Sequence, residues 1–320
     1  MQHPDIPRAA QMIREGRLVA FPTETVYGLG ANALDPEAIA RIYEAKGRPA
    51  SSPLIVHVDS PEMARELVSE WPAEADLLVR RYWPGPLTLV LNKSACVPDA
   101  LSAGLGTVGL RVPAHPLALE LIRAAGVPIA APSANRFTRL SPTTAEHVRR
   151  GLGGRVDLIL DGGPTTVGIE STVLSLAGPR PVLLRPGMIS RQELEESIGP
   201  VEIATTTPDR AHPAPGMHWK HYSPSTPLVI VGPGVLPDQG RGAVLWRLRP
   251  VEAARSIRMP VDPAAYAAAL YQFLHEVDEE GWDWIAVEKL PETGEWAGIR
   301  DRLARAAAGE RVHARIAEEK

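Results

Sequence analysis

The chain has 320 residues, more than one hydrophobic core usually organises, so two domains are expected. Hydrophobic residues make up 44% and charged residues 22%, as in ordinary soluble globular proteins, and no apolar run approaches the ~20 residues of a membrane helix. The formal net charge of −4, from 34 basic and 38 acidic residues, argues against a protein that coats nucleic acid through bulk charge.

The first 200 residues alternate between helix and strand patterns. Apolar side chains recur at helical spacing over 5–16, 35–47, 60–68, 74–83, 115–126, 141–154 and 190–199. Short apolar runs predict strands over 18–23, 53–58, 87–91, 108–113, 127–135, 156–163, 171–176 and 181–187. This alternation favours an α/β domain over 1–200 with helices packed on a sheet. The consecutive strands within 156–185 favour a mixed sheet over a purely parallel one.

The second part of the chain begins after a change in composition. Residues 201–227 are rich in Thr, Pro and His and have no apolar period, so they are predicted to form a linker. Beyond them, strands are predicted over 227–234, 242–248 and 282–290, with helices over 264–281 and 299–309. This pattern predicts a smaller, Rossmann-like α/β domain over 228–320.

A pair of cations marks the first candidate site. Lys46 and Arg48 follow a predicted helix and lead into the apolar strand that contains His57. The simplest interpretation is a solvated helix end, where the dipole favours a basic residue. Ligands in α/β sheets, however, gather in the loops at strand ends. Two neighbouring cations on a loop bounded by Gly and Pro suit a polyphosphate.

Hydroxyl and amide side chains stand at other strand ends. The stretch "FPTETVYGLGA" is a tight turn or a pocket rim on which Thr23 offers a hydroxyl, and its glycines fit neither a P-loop nor a dinucleotide fingerprint. "AAPSAN" places Ser133 and Asn135 after small residues that permit close backbone approach to a ligand. Arg111 lies within an apolar strand, so we expect it either to point outward or to await an anion.

Several kinds of site are absent from the sequence. There is no His-Glu-x-x-His motif, no cysteine cluster and no Gly-x-Ser-x-Gly elbow. His212, His218 and His221 lack a fourth ligand, so metal binding by these histidines is not expected. Cys96 is the only cysteine, which excludes an internal disulfide and, with no signal-peptide pattern at the N-terminus, favours a cytoplasmic location.

Taken together, the motifs resemble those of the YrdC-like threonylcarbamoyl-AMP synthases. The stretches that carry the resemblance are "FPTETVYGLGANA", "AKGRPASSPLIVHV", "WPGPLTLVL", "TVGLRVPAHP", "PIAAPSAN", "GGPTTVGIESTV" and "LLRPG". The linker "APGMHWKHYSP" and the α/β unit after it are similar to the long, two-domain form of the family. The resemblance covers essentially the whole chain and implies a YrdC-like twisted mixed sheet flanked by helices.

The resemblance also implies a reaction and its participants. Such enzymes join L-threonine, bicarbonate and ATP, with Mg²⁺ on the ATP phosphates, into L-threonylcarbamoyl-AMP and release pyrophosphate. The product serves threonylcarbamoyl-adenosine modification of tRNA, so the expected partners are the downstream tRNA threonylcarbamoyl-transferase machinery and, weakly, tRNA itself.

The resemblance assigns site residues to two groups and no metal ligand. The positions that match ATP-binding residues are Lys46, Arg48, Thr107, Ser133, Asn135, Ser141, Arg185 and Tyr222. The positions that match the surroundings of threonine and bicarbonate are Thr23, His57, Arg111, Ala131 and Ser171, with Arg111 facing the carboxylate of threonine. The "KHYSP" segment is expected to fold back over the first domain and to exclude water from a labile adenylate.

Two other functions remain open from the sequence. One is an RNA-binding module of the same fold, whose basic surface would comprise Arg136, Arg139, Arg149, Arg150 and Arg155. The acidic net charge and the lack of interleaved aromatic residues count against it. The other is a maturation factor that transfers a carbamoyl group from carbamoyl phosphate. Such factors carry zinc-finger and acylphosphatase-like modules, for which this chain has neither the cysteines nor the length.

Overall fold

Two β-sheets with helices against them account for the two predicted domains. The computed structural model describes residues 3–204 and 221–308. The helices of the first domain are α1 (Ile6–Arg14), α2 (Pro36–Lys46), α3 (Pro61–Glu66), α4 (Ala73–Tyr82), α5 (Asp99–Ser102), α6 (Pro116–Ala125), α7 (Ala145–Leu152) and α8 (Arg191–Ile198). Its strands are β1 (Val19–Phe21), β2 (Gly28–Asn32), β3 (Ile55–His57), β4 (Leu87–Asn92), β5 (Thr107–Arg111), β6 (Ile129–Ala130), β7 (Leu158–Ile159), β8 (Thr172–Ser175), β9 (Val182–Arg185) and β10 (Glu202–Ile203).

Local sequence signals fix the helix that leads to the predicted cation pair. The Asp35 side chain accepts hydrogen bonds from the first backbone N–H groups of α2, and Pro36 stands in the first turn. Gly47 ends the helix with a left-handed φ of 63°, which glycine adopts at no steric cost. Lys46 is therefore the last helical residue, and Arg48 lies on the loop toward β3.

The first sheet has mixed strand directions, as predicted. Its order is β10-β9-β8-β4-β5-β3-β6-β2-β1-β7. The pairs β3–β5 and β4–β8 are parallel, whereas β4–β5 and β8–β9 are antiparallel. Successive side chains of β1 enter different cores, since Val19 and Phe21 pack with α1 and α6 while Ala20 packs with α2. The sheet is thus buried on both faces at this point.

The C-terminal domain is built on a parallel sheet of order β11-β14-β12-β13. Its elements are β11 (Leu228–Val231), β12 (Gly242–Trp246), β13 (Arg255–Arg258), α9 (Pro263–Glu279), β14 (Trp284–Glu288) and α10 (Ala297–Ala307). The edge strand β13 was missed from the sequence because only Ile257 among its residues is buried. No helix of the described residues is long and apolar enough to cross a membrane.

The two domains share one hydrophobic cluster. Val26, Leu140, Ile169 and Tyr222 pack together with residues of α9, α10 and the second sheet. β10 pairs with β9 and so extends the first sheet into the segment that was predicted as linker. Most of that segment, residues 205–220, lies outside the described residues. The C-terminal domain is therefore packed against the first domain beside the ends of β3, β5 and β9.

Candidate active site

The candidate site lies where strands of the first sheet end side by side. β3 and β5 are parallel, and their last residues, His57 and Arg111, are register partners. Ser171 directly precedes β8, and Arg185 ends the neighbouring antiparallel β9. Strand ends and the loops beside them are where α/β sheets bind ligands. The fold thus brings four predicted site residues from distant positions to one edge.

A small cavity occupies this edge of the sheet. It is lined by Thr23, Thr25, Val26, Gly28, Arg48, Ile55, His57, Arg111, Ala131, Pro132, Ser133, Glu170, Ser171, Arg185, His221 and Tyr222. Most of the residues assigned by resemblance are in this set, from both the ATP group and the threonine group. The volume open to the centre of a water molecule is about 50 Å³, enough for a few waters.

Arg111 is buried and already has a carboxylate partner. Its Nη2 lies 2.6 Å from Oε1 of Glu24, while Nε donates to the Gly85 carbonyl and Nη1 to the Thr25 hydroxyl. Arg111 therefore does not point outward, because it is buried and Glu24 balances its charge, and its contact with an anionic ligand stays a prediction. The contact between Nη2 and Oε1 is not aligned as a hydrogen bond, and the Arg111 side chain lines the cavity.

His57 is held in its neutral form beside Arg111. Burial, and then the charge of Arg111, lowers the pKa of the His57 imidazole to about 3. The ring packs edge-on against Phe21, with ring centroids 6.1 Å apart. Its Nδ1 atom has no hydrogen-bond partner among the described residues. A neutral imidazole with an unpaired nitrogen can accept or donate a hydrogen bond to a ligand.

Lys46 connects the two loops that carry the cationic and amide motifs. Its Nζ donates to the carbonyls of Ser133 and Asn135, at 2.5 and 2.6 Å, and lies 3.3 Å from the Asn135 side-chain oxygen. An ammonium group has three N–H donors, so the contacts of Lys46 with this loop occupy all three. Burial, with the nearby charge of Arg48, lowers the pKa of Lys46 well below its ordinary value. Lys46 supports the cavity wall, and its contact with ATP stays a prediction.

Arg48 presents its charge to the cavity. Its Nη2 donates to the Ser52 hydroxyl at 2.6 Å and to the Pro53 carbonyl at 3.1 Å, which fixes the guanidinium plane. Nε has no hydrogen-bond partner among the described residues. Burial lowers the pKa of Arg48 to about 10, which still leaves it charged at neutral pH.

Three further ATP-group residues do not line the cavity. Asn135 donates from Nδ2 to the carbonyls of Arg136 and Arg139, so its amide shapes the loop. Ser141 is fully buried and donates to the Glu170 carboxylate at 2.5 Å. Thr107 begins β5, at the opposite end of that strand from Arg111, and is partly exposed. Their roles as ATP ligands are untested predictions.

Ser171 and Arg185 form one corner of the cavity. Arg185 donates from Nη2 to the Ser171 carbonyl at 3.0 Å and to its hydroxyl at 3.1 Å. The Ser171 hydroxyl also lies 2.8 Å from the hydroxyl of Thr88, on β4. Burial lowers the pKa of Arg185 from its ordinary value. These contacts hold a second cation at the cavity, within electrostatic range of Arg48.

The segment after residue 220 returns to the first domain, as predicted. His221 and Tyr222 are buried and line the cavity. The backbone N–H of Ser223 donates to the Thr138 carbonyl at 2.8 Å, which anchors the segment beside the Ser133 loop. Tyr222 has a left-handed φ of 61°, unusual for a bulky residue. Burial, and then Arg48, lowers the pKa of His221 well below its ordinary value.

Several of the residues that line the cavity carry a buried polar atom without a hydrogen-bond partner. Among the described residues, Arg48 Nε, His57 Nδ1, His221 Nδ1 and Tyr222 Oη are buried without a hydrogen-bond partner. Buried polar atoms in folded proteins are normally paired, so each exception calls for a ligand, a water or an ion. Four such atoms on one cavity with two cationic corners indicate a site for a polar, anionic ligand.

Comparison with known proteins settles the affiliation of the chain. The family described as "Telomere recombination" matches residues 11–187, and the family described as "Threonylcarbamoyl-AMP synthase, C-terminal domain" matches residues 189–308. A Bacillus subtilis protein named threonylcarbamoyl-AMP synthase is 45% identical over 331 aligned positions, which cover 96% of this chain and 94% of that one. The chain belongs to the threonylcarbamoyl-AMP synthase family.

Other members of the synthase family differ in length. The crystal structure of Pyrococcus abyssi Sua5 complexed with L-threonine is 44% identical, with a TM-score of 0.90 and 94% coverage of each chain. A putative threonylcarbamoyl-AMP synthase from Mycobacterium tuberculosis is 41% identical over 194 positions, which cover 61% of this chain and 89% of that one. The present chain therefore shares both of its domains with the archaeal synthase.

No protein metal site is apparent in the described part of this synthase. Within residues 3–204 and 221–308, no group of three or more His, Cys, Asp or Glu side chains is placed to hold a metal ion. His212 and His218, two of the three linker histidines, lie outside the described residues. Glu170 is the one carboxylate among the described residues that line the cavity.

Sequence reasoning did not assign four residues that build the synthase site. Glu24 and Glu170 are acids inside otherwise apolar or hydroxyl-rich stretches, a signal that could have marked both as paired and buried. Tyr271 and Arg302 belong to α9 and α10 of the C-terminal domain and contact the Glu170 carboxylate. Their helices carry other aromatic and basic residues, so nothing local distinguishes them.

Proposed function

We propose that this protein synthesises L-threonylcarbamoyl-AMP from L-threonine, bicarbonate and ATP and releases pyrophosphate. The observation that carries the proposal is the cluster of unpaired polar atoms on one cavity between cationic corners. Membership of the synthase family and the L-threonine complex of the archaeal relative support the same conclusion.

The threonine end of the cavity is the wall formed by Thr23, Thr25, His57 and Arg111. Arg111 would bind the carboxylate of the amino acid through its guanidinium group, and such a charge-assisted hydrogen bond contributes roughly 1.5–3 kcal/mol. Glu24 keeps Arg111 oriented and prevents an uncompensated buried charge before the substrate arrives. His57 stays neutral at physiological pH and so adds no charge that would repel the ammonium group of threonine.

The ATP end of the cavity is the wall that contains Arg48 and Arg185. The carbamate formed from threonine and bicarbonate attacks the α-phosphorus, and negative charge grows on the phosphate and pyrophosphate oxygens. Cations that are already fixed in place stabilise such charge without reorganising during the reaction. The serine and main-chain contacts of both guanidinium groups supply this rigidity. No protein nucleophile is needed for this chemistry.

Magnesium fits this site as an ion that arrives with ATP. Mg²⁺ in nucleotide enzymes is held largely by phosphates and water with one or two carboxylates. The cavity offers Glu170 alone, and its oxygens already accept hydrogen bonds from Ser141 and Arg302. The ion would neutralise charge on the triphosphate, and the residues present do not form a cage for it.

Substrate entry requires part of the cavity wall to move. A triphosphate and an amino acid need far more room than the volume of about 50 Å³ that the cavity leaves open to the centre of a water molecule. His221 and Tyr222 are the lining residues that come from outside the sheet and its adjoining loops. We propose that this segment opens to admit ATP and closes again to shield the adenylate from water.

The alternative functions gain less support. In the cluster suggested for RNA, Arg149 and Arg150 form ion pairs with Glu146, Asp161 and Glu279. The C-terminal match is to a domain of threonylcarbamoyl-AMP synthases, which does not favour a carbamoyl-phosphate maturation factor. We further propose that the protein acts in the cytoplasm and that its product passes to the tRNA threonylcarbamoyl-transferase machinery.

One assay tests the proposed function. The protein is incubated with ATP, Mg²⁺, bicarbonate and labelled threonine, and threonine-dependent pyrophosphate and labelled adenylate are measured. Arg111→Ala should abolish the signal, because it removes the carboxylate contact and leaves the buried Glu24 without its charge partner. Arg191→Ala is the matched control, since Arg191 pairs with Glu195 on the exposed face of α8.

The possible results of this assay lead to different conclusions. Pyrophosphate release that depends on both threonine and bicarbonate supports the proposal. Full activity in Arg111→Ala would contradict the assignment of the threonine end. A wild-type protein that binds ATP but releases no threonine-dependent pyrophosphate would refute the reaction itself.

A further inference from the structure

Glu170 is the carboxylate on which the two domains meet. Its side chain lies at the cavity, in the first domain, and accepts a hydrogen bond from Ser141 at 2.5 Å. From the C-terminal domain, the Tyr271 hydroxyl approaches it at 3.3 Å and Arg302 Nε donates to it at 2.6 Å. A buried carboxylate needs such partners, and here the C-terminal domain provides two of the three.

Arg302 joins three loops of the active site. Its side chain is fully buried, and its Nη2 donates to the Glu170 carbonyl at 3.1 Å. Its Nη1 donates to the Pro186 carbonyl at 2.9 Å, next to Arg185. The guanidinium carbon lies 5.2 Å from the centre of the Tyr222 ring, within the range of a cation–π contact. One side chain thus contacts the segments that contain Glu170, Arg185 and Tyr222.

Two glycines let the helices of the C-terminal domain lie directly against the backbone of the site loops. This close approach fixes the position of Arg302. A Cβ atom at Gly298, on α10, would lie 2.6 Å from the Gly187 carbonyl, two residues after Arg185. A Cβ atom at Gly168, two residues before Glu170, would lie 2.3 Å from the Ala267 carbonyl on α9. Real Cβ atoms essentially never come this close to backbone atoms, so α9 and α10 touch the backbone of the very loops that carry site residues.

The charged side chains at this junction are paired with one another, so none of these charges is left to bind a ligand. Arg302 forms ion pairs with both Glu170 and Asp301, and Asp301 pairs also with Arg305. Tyr222, Glu170 and Asp301 raise the pKa of Arg302 although burial alone would lower it. Arg302 is therefore permanently charged, and its hydrogen bonds lie within the protein. Such a group acts through the residues it holds.

We propose that Glu170 and Arg302 form a positioning pair through which the C-terminal domain sets the geometry of the ATP end of the active site. The pair orients the Ser141 hydroxyl, fixes the loop after β9 that follows Arg185, and supports the ring of Tyr222. The assignment of these three residues to ATP rests on the proposed function. Arg111, at the threonine end, does not contact the pair, because it is held by Glu24, Gly85 and Thr25.

This placement gives the pair a kinetic signature. Loosening the pair should displace the ATP contacts and raise KM for ATP, while KM for threonine stays nearly constant. A merely structural role has a different effect, because partial unfolding reduces the amount of active enzyme. It lowers the apparent kcat and leaves both KM values unchanged.

The test compares three variants of the full chain with the wild type. Arg302→Met removes the guanidinium at similar length, Glu170→Gln with Arg302→Met removes both charges together, and Arg302→Lys keeps the charge but not the planar fork. Arg300→Met is the matched control, since Arg300 lies on the same helix and donates to the Pro291 and Thr293 carbonyls within its own domain. KM and kcat for each substrate and the Kd of ATP by calorimetry are measured.

We expect Arg302→Met and the double variant to raise KM and Kd for ATP about tenfold or more, with KM for threonine within about twofold. Arg302→Lys should recover part of the loss, and Arg300→Met should match the wild type. If Arg302→Met alone fails to fold, the charge-balanced double variant decides. Wild-type KM and Kd for ATP in the folded variants would overturn the proposal. The Kd for ATP remains a readout even if the wild type releases no pyrophosphate, so failure of the reaction and failure of the pair are distinguishable.

Discussion

Acid should weaken this protein through a histidine pair between its domains. His147 on α7 and His275 on α9 stack with ring centroids 3.9 Å apart. Burial lowers the pKa of both imidazoles, and the proximity of His275 adds to the lowering of the His147 pKa to about 3. The charged side chains around the pair are Glu146, Arg150, Asp278 and Glu279.

The sign of the effect follows from these depressed pKa values. In the unfolded chain a histidine titrates near its ordinary pKa of 6.5, so as pH falls the unfolded state binds protons first. The contribution of the neutral histidines to the stability of the folded protein is fully present above that pH. It is lost as the pH falls toward the pKa of the folded state. For His147 alone, the shift corresponds to about 2 kcal/mol lost between pH 7 and pH 5. His147 is only partly buried, so solvent screening reduces this to about 1 kcal/mol.

The assay is thermal unfolding at several pH values between 5 and 8. The wild type is compared with a variant that carries His147→Gln and His275→Gln, in which the pair cannot titrate. Buried His57 and His221 contribute to acid sensitivity in both proteins, so the difference between the two pH slopes isolates the pair. We expect the wild type to lose about 2–4 °C more in Tm between pH 7 and pH 5.

A control guards against a general effect of removing a histidine. His3→Gln, which replaces a histidine that precedes α1 and lies outside the pair, serves as the matched control. Equal pH slopes in the wild type and the double variant would refute the reasoning, since the stacked pair would then contribute nothing on acidification.

Two further predictions concern the domain junction and the cavity. Gly168 has a φ of 81° and lies against the backbone of α9, so Gly168→Ala should cost about 2–4 kcal/mol in the free energy of unfolding, measured with urea. An unchanged urea midpoint would contradict the close approach. The Tyr222 hydroxyl has no hydrogen-bond partner among the described residues, so Tyr222→Phe should change stability by no more than about 0.5 kcal/mol while it raises KM for ATP. A destabilised Tyr222→Phe with normal KM would show that the hydroxyl serves the fold and not the ligand.

Local rules predicted the elements that depend on neighbouring residues. Asp35, Pro36 and Gly47 bound α2 and so place Lys46 at its end, and Ser190 with Glu193 forms the capping box of α8. The mixed sheet followed from consecutive strands without an intervening helix. Each of these features is set by interactions within a few residues, which a single sequence displays directly.

The edge strand β13 shows where the local sequence pattern is too weak to predict a strand. Residues 255–258 comprise two arginines, a serine and one buried isoleucine, which is not a recognisable strand pattern. They form a strand because they pair in parallel with β12. Strand formation at an edge depends on the neighbouring strand, and this neighbour is supplied by the fold. The burial of Arg111 likewise depends on the fold, because its carboxylate partner Glu24 belongs to a different strand end.

By itself, the sequence determined that a cationic loop, a Ser-x-Asn loop and an arginine within an apolar strand stand at the ends of strands, since each depends on the residues beside it. Only the tertiary structure decided that Arg48, Ser133 and Arg111 line one cavity, that Lys46 supports its wall, and that the C-terminal domain contacts Glu170 there. Glu170 and Arg302 are 132 positions apart, and neither has a local reason to be buried. Their pairing exists because α10 packs against the loop after β9, and a buried charge remains folded only where the opposite charge meets it.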